Sequence, residues 1–255
     1  MRLVLVFALG LTGCVGATLG GGGDDGDDGG DSSDGMTDDD ALPAPAVAST
    51  VTFPSGGPCA TGICSGELGL EFTVDIGIQA SGGFAGQVAL AQTGAPATWQ
   101  VTFEPSPTID VLADGAATAV MRVKVPSNGD AGAHALSITS TSSVGVDTDM
   151  VNAEIANAFS TSVTGECNLP GFDGAAGTEG NPIRIRLGTM FRVVNGTAAP
   201  IRIHSDNDGS GFAHQENDMP PSGAYEVTPT DGGGVVYQWY CHSPDLGQRS
   251  YLRVD

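Results

Sequence analysis

Between residues 48 and 158 apolar and polar positions alternate with period two in short runs of Val, Ile, Thr and Phe, separated by Gly, Pro, Asn or Asp. Successive side chains of an extended strand point to opposite faces, so this alternation predicts strands with one buried face. The predicted strands are Ser49–Phe53, Leu68–Ile78, Gly86–Leu90, Trp99–Glu104, Ile109–Leu112, Ala117–Val125, Gly132–Ser140 and Val144–Ile155. Eight strands in about 110 residues predict an antiparallel sandwich. In it Trp99 is expected to pack in the core and His134 to lie on a solvated strand face. A second alternating region follows, from 159 to 255. There Arg184, Arg186, Arg192 and Arg202 alternate with Ile183, Ile185, Leu187, Phe191, Val193, Ile201 and Ile203, again as strands with one buried side.

The alternation is absent before residue 48. Arg2 precedes an apolar run, Leu3 to Leu11, too short to cross a bilayer as a helix and of the length of an export signal. The run ends in Leu11-Thr12-Gly13-Cys14, which resembles the bacterial lipobox, where the signal is cut before a cysteine that then receives lipid. The resemblance implies a signal peptide over 1–13 and lipidation at Cys14. Each buried methylene of an acyl chain contributes about 0.8 kcal/mol, so several chains hold a protein on a membrane. The next segment, 14–47, is dominated by Gly and Asp and has little apolar surface to bury. It is expected to be a disordered, solvated tether.

Composition supports this division. The 255 residues include 39 Gly, 15 Pro and one lysine, which suits turn-rich β structure. The formal charge is −21, but nine of the thirty acidic residues fall between Asp24 and Asp40, so much of it belongs to the tether. Nine Lys and Arg residues cannot build a broad phosphate-binding surface, which argues against a nucleic-acid partner.

The chemistry-bearing residues are few: five cysteines and four histidines. Cys59 and Cys64, in "PCATGIC", sit in a Gly-rich stretch of a chain expected to be exported. That setting favours a loop-stapling disulfide over a redox pair or a metal knuckle, which need a helix start or two further ligands. With Cys14 lipidated, Cys59–Cys64 and Cys167–Cys241 pair the remaining four.

Two family resemblances accompany these readings. "FTVDIGIQASGGFAGQVALA" and the following "WQVTFEPSPTIDVLADG…GAHALSITSTS" resemble bacterial immunoglobulin-like domains, which implies a fold over 48–158 and no chemistry. "GTMFRVVNGTAAPIRIHSD" and "GAYEVTPTDGGGVVYQWYCHSPDLGQRSYLRVD" resemble the cupredoxins, which implies a Greek-key β-sandwich over 159–255. It also implies a copper ion held by two imidazoles and a thiolate, with a weak axial ligand. Cys241 matches the thiolate and Gln248 the axial position, but Ile201 and Pro244 stand where the family has histidines. A rearranged ligand set draws on His204, His214, Cys241 and His242, with the 204–214 loop closing over the sheet end where Cys241 points inward. Three readings stay open: a Cys241 thiolate on copper, with an electron-transfer partner protein; a Cys167–Cys241 disulfide in a metal-free binding or structural protein; or another use of metal.

Asp206, Asp208 and Ser210 alternate before Gly211 like the start of a calcium loop, and equally like an acidic Asp-Gly turn. No zinc-protease motif, nucleophile elbow or phosphate loop occurs, so no enzyme activity is expected. The sequence thus predicts an all-β lipoprotein of the cell envelope: an immunoglobulin-like sandwich, then a cupredoxin-like one, with copper at its end.

Overall fold

Residues 71–81 show how the alternation is used: Phe72, Val74, Ile76, Ile78 and Ala80 are buried while the residues between them are half-buried or exposed. The computed structural model describes residues 43–170, 176–206, 211–243 and 248–255, and all of its regular elements there are strands. The expected signal peptide, Cys14 and the tether up to residue 42 lie outside the described residues, as do Asp208, Ser210 and Pro244.

In the first module the strands are β1 (Ala46–Thr52), β2 (Cys59–Ala60), β3 (Ile63–Leu68), β4 (Glu71–Ser81), β5 (Gly86–Thr93), β6 (Gln100–Glu104), β7 (Thr108–Val111), β8 (Ala116–Lys124), β9 (Gly132–Ser142) and β10 (Gly145–Val163). One sheet has the order β1-β4-β8-β6, and β10-β9-β5-β7 form part of the facing one. Their inner faces share a core that includes Phe72, Ile76, Met121, Leu136 and Ile138, the immunoglobulin-like arrangement. Ala46 and Val47, expected in the tether, open β1 by pairing with Ser81 and Ala80. Beside them Gly82 adopts φ +61°, and a Cβ there would come within 2.4 Å of the Ala44 carbonyl oxygen. Only glycine lets the entering chain lie that close.

The stretch around Cys59 and Cys64 is a β-hairpin and not an irregular loop. Cys59 lies opposite Cys64 and is joined to it by a disulfide, and Thr61 and Gly62 form a two-residue turn with both φ values positive. Strand β3 then runs parallel to β10, pairing from Ile63↔Asn152 onward. His134 also departs from expectation. Its ring packs edge-on against Trp99 at 4.8 Å between centroids, so it is half-buried against the core.

The second module contains β11 (Ile183–Ile185), β12 (Met190–Asn195), β13 (Arg202–Ser205), β14 (Ala224–Val227), β15 (Val235–Ser243) and β16 (Ser250–Val254). Strands β14 and β12 continue the sheet of β10, and β11-β16-β15-β13 face them as a separate sheet. Phe191, Trp239, Tyr237, Phe212 and Ile203 fill the space between. This is the cupredoxin-like sandwich. Leu187, expected on its buried face, is 52% exposed, because β11 ends at Ile185 and a turn follows.

The boundary anticipated between residues 158 and 159 falls inside β10, whose 19 residues serve both modules. The core changes identity there: Phe159 packs against both clusters and stacks on Phe191 at 6.3 Å. Polar contacts fasten the modules alongside it. Arg192 pairs with Glu67, Arg186 pairs with Asp130, and the Ser127 hydroxyl donates to the Arg184 carbonyl.

Candidate functional site

The register between β13 and β15 decides which side chains can meet. Ile203 lies opposite Cys241, His204 opposite Tyr240, and Ser205 opposite Trp239. Residues directly opposite on antiparallel strands share a face. Ile203, Ser205, Trp239 and Cys241 are buried on the inner face, whereas His204 and Tyr240 are half-buried on the outer face. Arg202 pairs with Ser243, so His242 is the extra residue of a β-bulge. Its ring stacks on that of His204, with centroids 4.2 Å apart and planes inclined by 14°. The two histidines therefore share the outer face, and Cys241 lies on the other.

His214 reaches the same place from the segment after β13, which is laid along that strand by backbone pairing. The Gln215 amide donates to the Ile203 carbonyl, and the Ile203 amide donates to the Gln215 side-chain oxygen at 3.0 Å. Further on, Ile201 and Met219 exchange both of their amide–carbonyl bonds. Phe212 is buried against Phe191, Tyr225 and Tyr237. The Tyr225 hydroxyl donates to the carbonyl of Ala213, and burial pushes that phenol up to about 12. His214 is thus held from both sides in sequence. Its Nδ1 lies 3.1 Å from Nδ1 of His204, with the rings edge to face at 4.4 Å. Tyr240 borders His204 at 5.8 Å and carries the Arg249 guanidinium 4.0 Å from its ring centre.

The inner face holds a different chemistry. Cys241 is joined to Cys167 by a disulfide that spans 74 residues of sequence, with Cα atoms 6.4 Å apart. Cys167 is carried by the turn after β10, where the amide of Asn168 donates to the Thr164 carbonyl at 2.7 Å. Gln248, expected as an axial ligand, accepts a hydrogen bond from the amide of Leu169. Ile201, at the position of the family's first histidine, is 1% exposed in the core. The residues present therefore do not fit a trigonal thiolate–copper centre: the sulfur is bonded to sulfur, and one imidazole position is filled by a buried aliphatic chain.

The expectation that the 204–214 loop would close over Cys241 is corrected by the same register, which puts both histidines on the opposite face of the sheet. Of the five residues expected as ligands, His204, His214 and His242 come together, and Cys241 and Gln248 are engaged elsewhere. Asp206, expected in a calcium loop, pairs through its carboxylate with the Gln238 side-chain amide. Among the described residues no group of three or more His, Cys, Asp and Glu side chains is already arranged to hold a metal ion. Gln215, Tyr225, Tyr240 and Arg249 were not anticipated. Only the position of Gln215 next to His214 hinted at any of them.

No protein-family model matches the chain, and no curated protein sequence is similar to it. Among solved structures it is similar to a purple cupredoxin from Nitrosopumilus maritimus, at 27% identity over 28% of this chain and 75% of that one, with a TM-score of 0.22. It is similar to a Salmonella enterica SafA pilin in complex with the SafB chaperone, at 12% identity over 76% and 88%, TM-score 0.28. A family 123 glycoside hydrolase from Clostridium perfringens is similar at 11% identity over 48% of this chain, TM-score 0.36, and only 31% of that enzyme is spanned. Among the described residues the architecture is all-β, two modules of facing sheets that share β10.

Proposed function

We propose that this protein is a lipid-anchored component of the cell envelope whose cupredoxin-like module serves as a disulfide-locked binding or structural domain, not as a thiolate–copper electron carrier. The observation that carries this reading is the Cys167–Cys241 disulfide. A half-cystine has no thiolate to give a metal, so the covalent copper–sulfur path of the cupredoxins is missing. The buried Ile201 supports the same conclusion from the imidazole side. Residue pairing across β10 makes the two modules one scaffold, as suits a protein that presents a surface. Anchoring rests on the lipobox-like Leu11–Cys14 and would hold the scaffold at a membrane with the acidic tether between them.

The test is Cu(II) titration of the full-length oxidised protein followed by visible absorption. Thiolate-to-copper charge transfer gives an intense band, and none is expected. Its appearance would restore the electron-transfer reading. The anchor is tested separately: Cys14→Ser should move the protein from the membrane to the soluble fraction, and continued membrane attachment would refute lipidation at that residue.

A further inference from the structure

We infer that the outer face of the second module carries a transition-metal site made of imidazoles alone: His204 and His214 as the chelating pair, completed by His242. It stands apart from the inner-face position where the cupredoxins hold copper, and it requires nothing of Cys241. A borderline divalent ion is the ligand, with Cu(II) held most tightly, because nitrogen sites rank the first-row metals in that order.

Metal–imidazole bonds are about 2.0–2.1 Å, so two nitrogens 3.1 Å apart subtend about 100° at a common metal. That angle lies between the square-planar and tetrahedral values and suits a tetragonal Cu(II) ion. The backbone that carries the pair is held in place. His204 is fixed by its strand, and His214 by the Gln215–Ile203 pairing on one side and the Tyr225–Ala213 bond on the other. Preorganisation of this kind lowers the ordering cost of binding. The two Nδ1 nitrogens are the donor atoms; the ion sits beside the line joining them, and the proton carried by one of them is released to solvent.

His242 supplies the third nitrogen by rotation. As it stands its ring lies parallel to His204, so the two lone pairs do not converge on one point. It is exposed and sits on a bulge, so its side chain can turn without disturbing the core. Residues 43–255 carry 21 acidic side chains (30 less the nine of the tether) against 8 basic ones (9 less Arg2), a balance that favours the approach of a cation.

The full-length chain is titrated with Cu(II) by calorimetry, and the bound ion is examined by electron paramagnetic resonance for nitrogen hyperfine structure. His204→Ala and His214→Ala are each expected to weaken binding roughly ten-fold or more, since each removes one of the chelating nitrogens. His242→Ala should cost less, and His134→Ala, in the other module, nothing. Because the alanine variants can disturb the loop, bound Cu(II) is also tested in the unaltered protein as a shield against diethylpyrocarbonate. The reactivity of His204 and His214 is read first in the metal-free protein and should fall on adding Cu(II), while whatever reactivity His134 shows should not change. Equal affinity in folded His204→Ala and His214→Ala variants, or no protection of either ring, would overturn the site. An intense thiolate charge-transfer band would instead contradict the proposed function, so the two failures are distinguishable.

Discussion

Removing the two disulfides one at a time should reveal very different contributions to stability. In the chain-entropy description a crosslink constrains the unfolded chain by an amount that grows with the loop it closes. Cys167–Cys241 spans 74 residues and Cys59–Cys64 only 5. The relation gives about 4.4 kcal/mol for the first and about 2 kcal/mol for the second. All four half-cystines are less than a tenth exposed, so replacing either pair with alanine removes similar packing, and the difference reports the loop. Urea unfolding of Cys167→Ala/Cys241→Ala and of Cys59→Ala/Cys64→Ala, both against the parent, measures it. The first double variant should lose about twice as much, with a midpoint lower by about 9–18 °C on heating against about 4–8 °C for the second. Its denaturant slope should also rise, because its unfolded chain exposes more surface. Equal losses, or a larger loss from the hairpin pair, would refute the assignment of the long disulfide as the main lock of the second module.

Asp130 joins the modules through Arg186, and the hydrogen bond from that guanidinium, with a second from Thr98, holds its carboxyl below the usual carboxylate range. A depressed folded-state value contributes stability that is complete above the unfolded carboxylate range and is lost as pH falls through the folded one. Asp130→Asn should therefore lower the melting temperature at neutral pH and flatten its decline in acid; an unchanged acid limb would contradict this. Tyr225, raised to about 12 by burial, behaves in the opposite sense: its contribution is complete below the ordinary phenol value and is lost as pH rises through the folded one. Tyr225→Phe should cost about 0.5–1.5 kcal/mol by removing the hydrogen bond to the Ala213 carbonyl, and should loosen amide-exchange protection at Gln215. An unaffected Gln215 would show that the phenol does not hold the loop.

The strands of the first module were legible because burial on one face imposes period two, as in Phe72 to Ala80. The Cys59–Cys64 hairpin was not, since two-residue strands carry no period and its turn depends on the left-handed Thr61. The length of β10 was also hidden. Its last third, Ala156 to Ser162, has mixed burial because it passes from one core to the other. At the candidate site the parity was available in the sequence: His204 follows inward Ile203, and His242 follows inward Cys241, so both must face outward. What could not be read was the bulge that brings His242 over His204. The delivery of His214 was equally hidden, because it depends on Gln215 and Tyr225 acting across strands. The choice between thiolate and disulfide needed the position of Cys167, which is set by the turn after β10 and not by any local pattern.

Peptide mapping of the native protein under non-reducing conditions, with free thiols alkylated before digestion, decides between disulfide and thiolate. The fragment containing Cys167 should be recovered joined to the fragment containing Cys241, and neither should carry the alkyl label. Recovery of Cys241 as an alkylated free thiol would contradict this and return the inner face of the second module to a thiolate ligand.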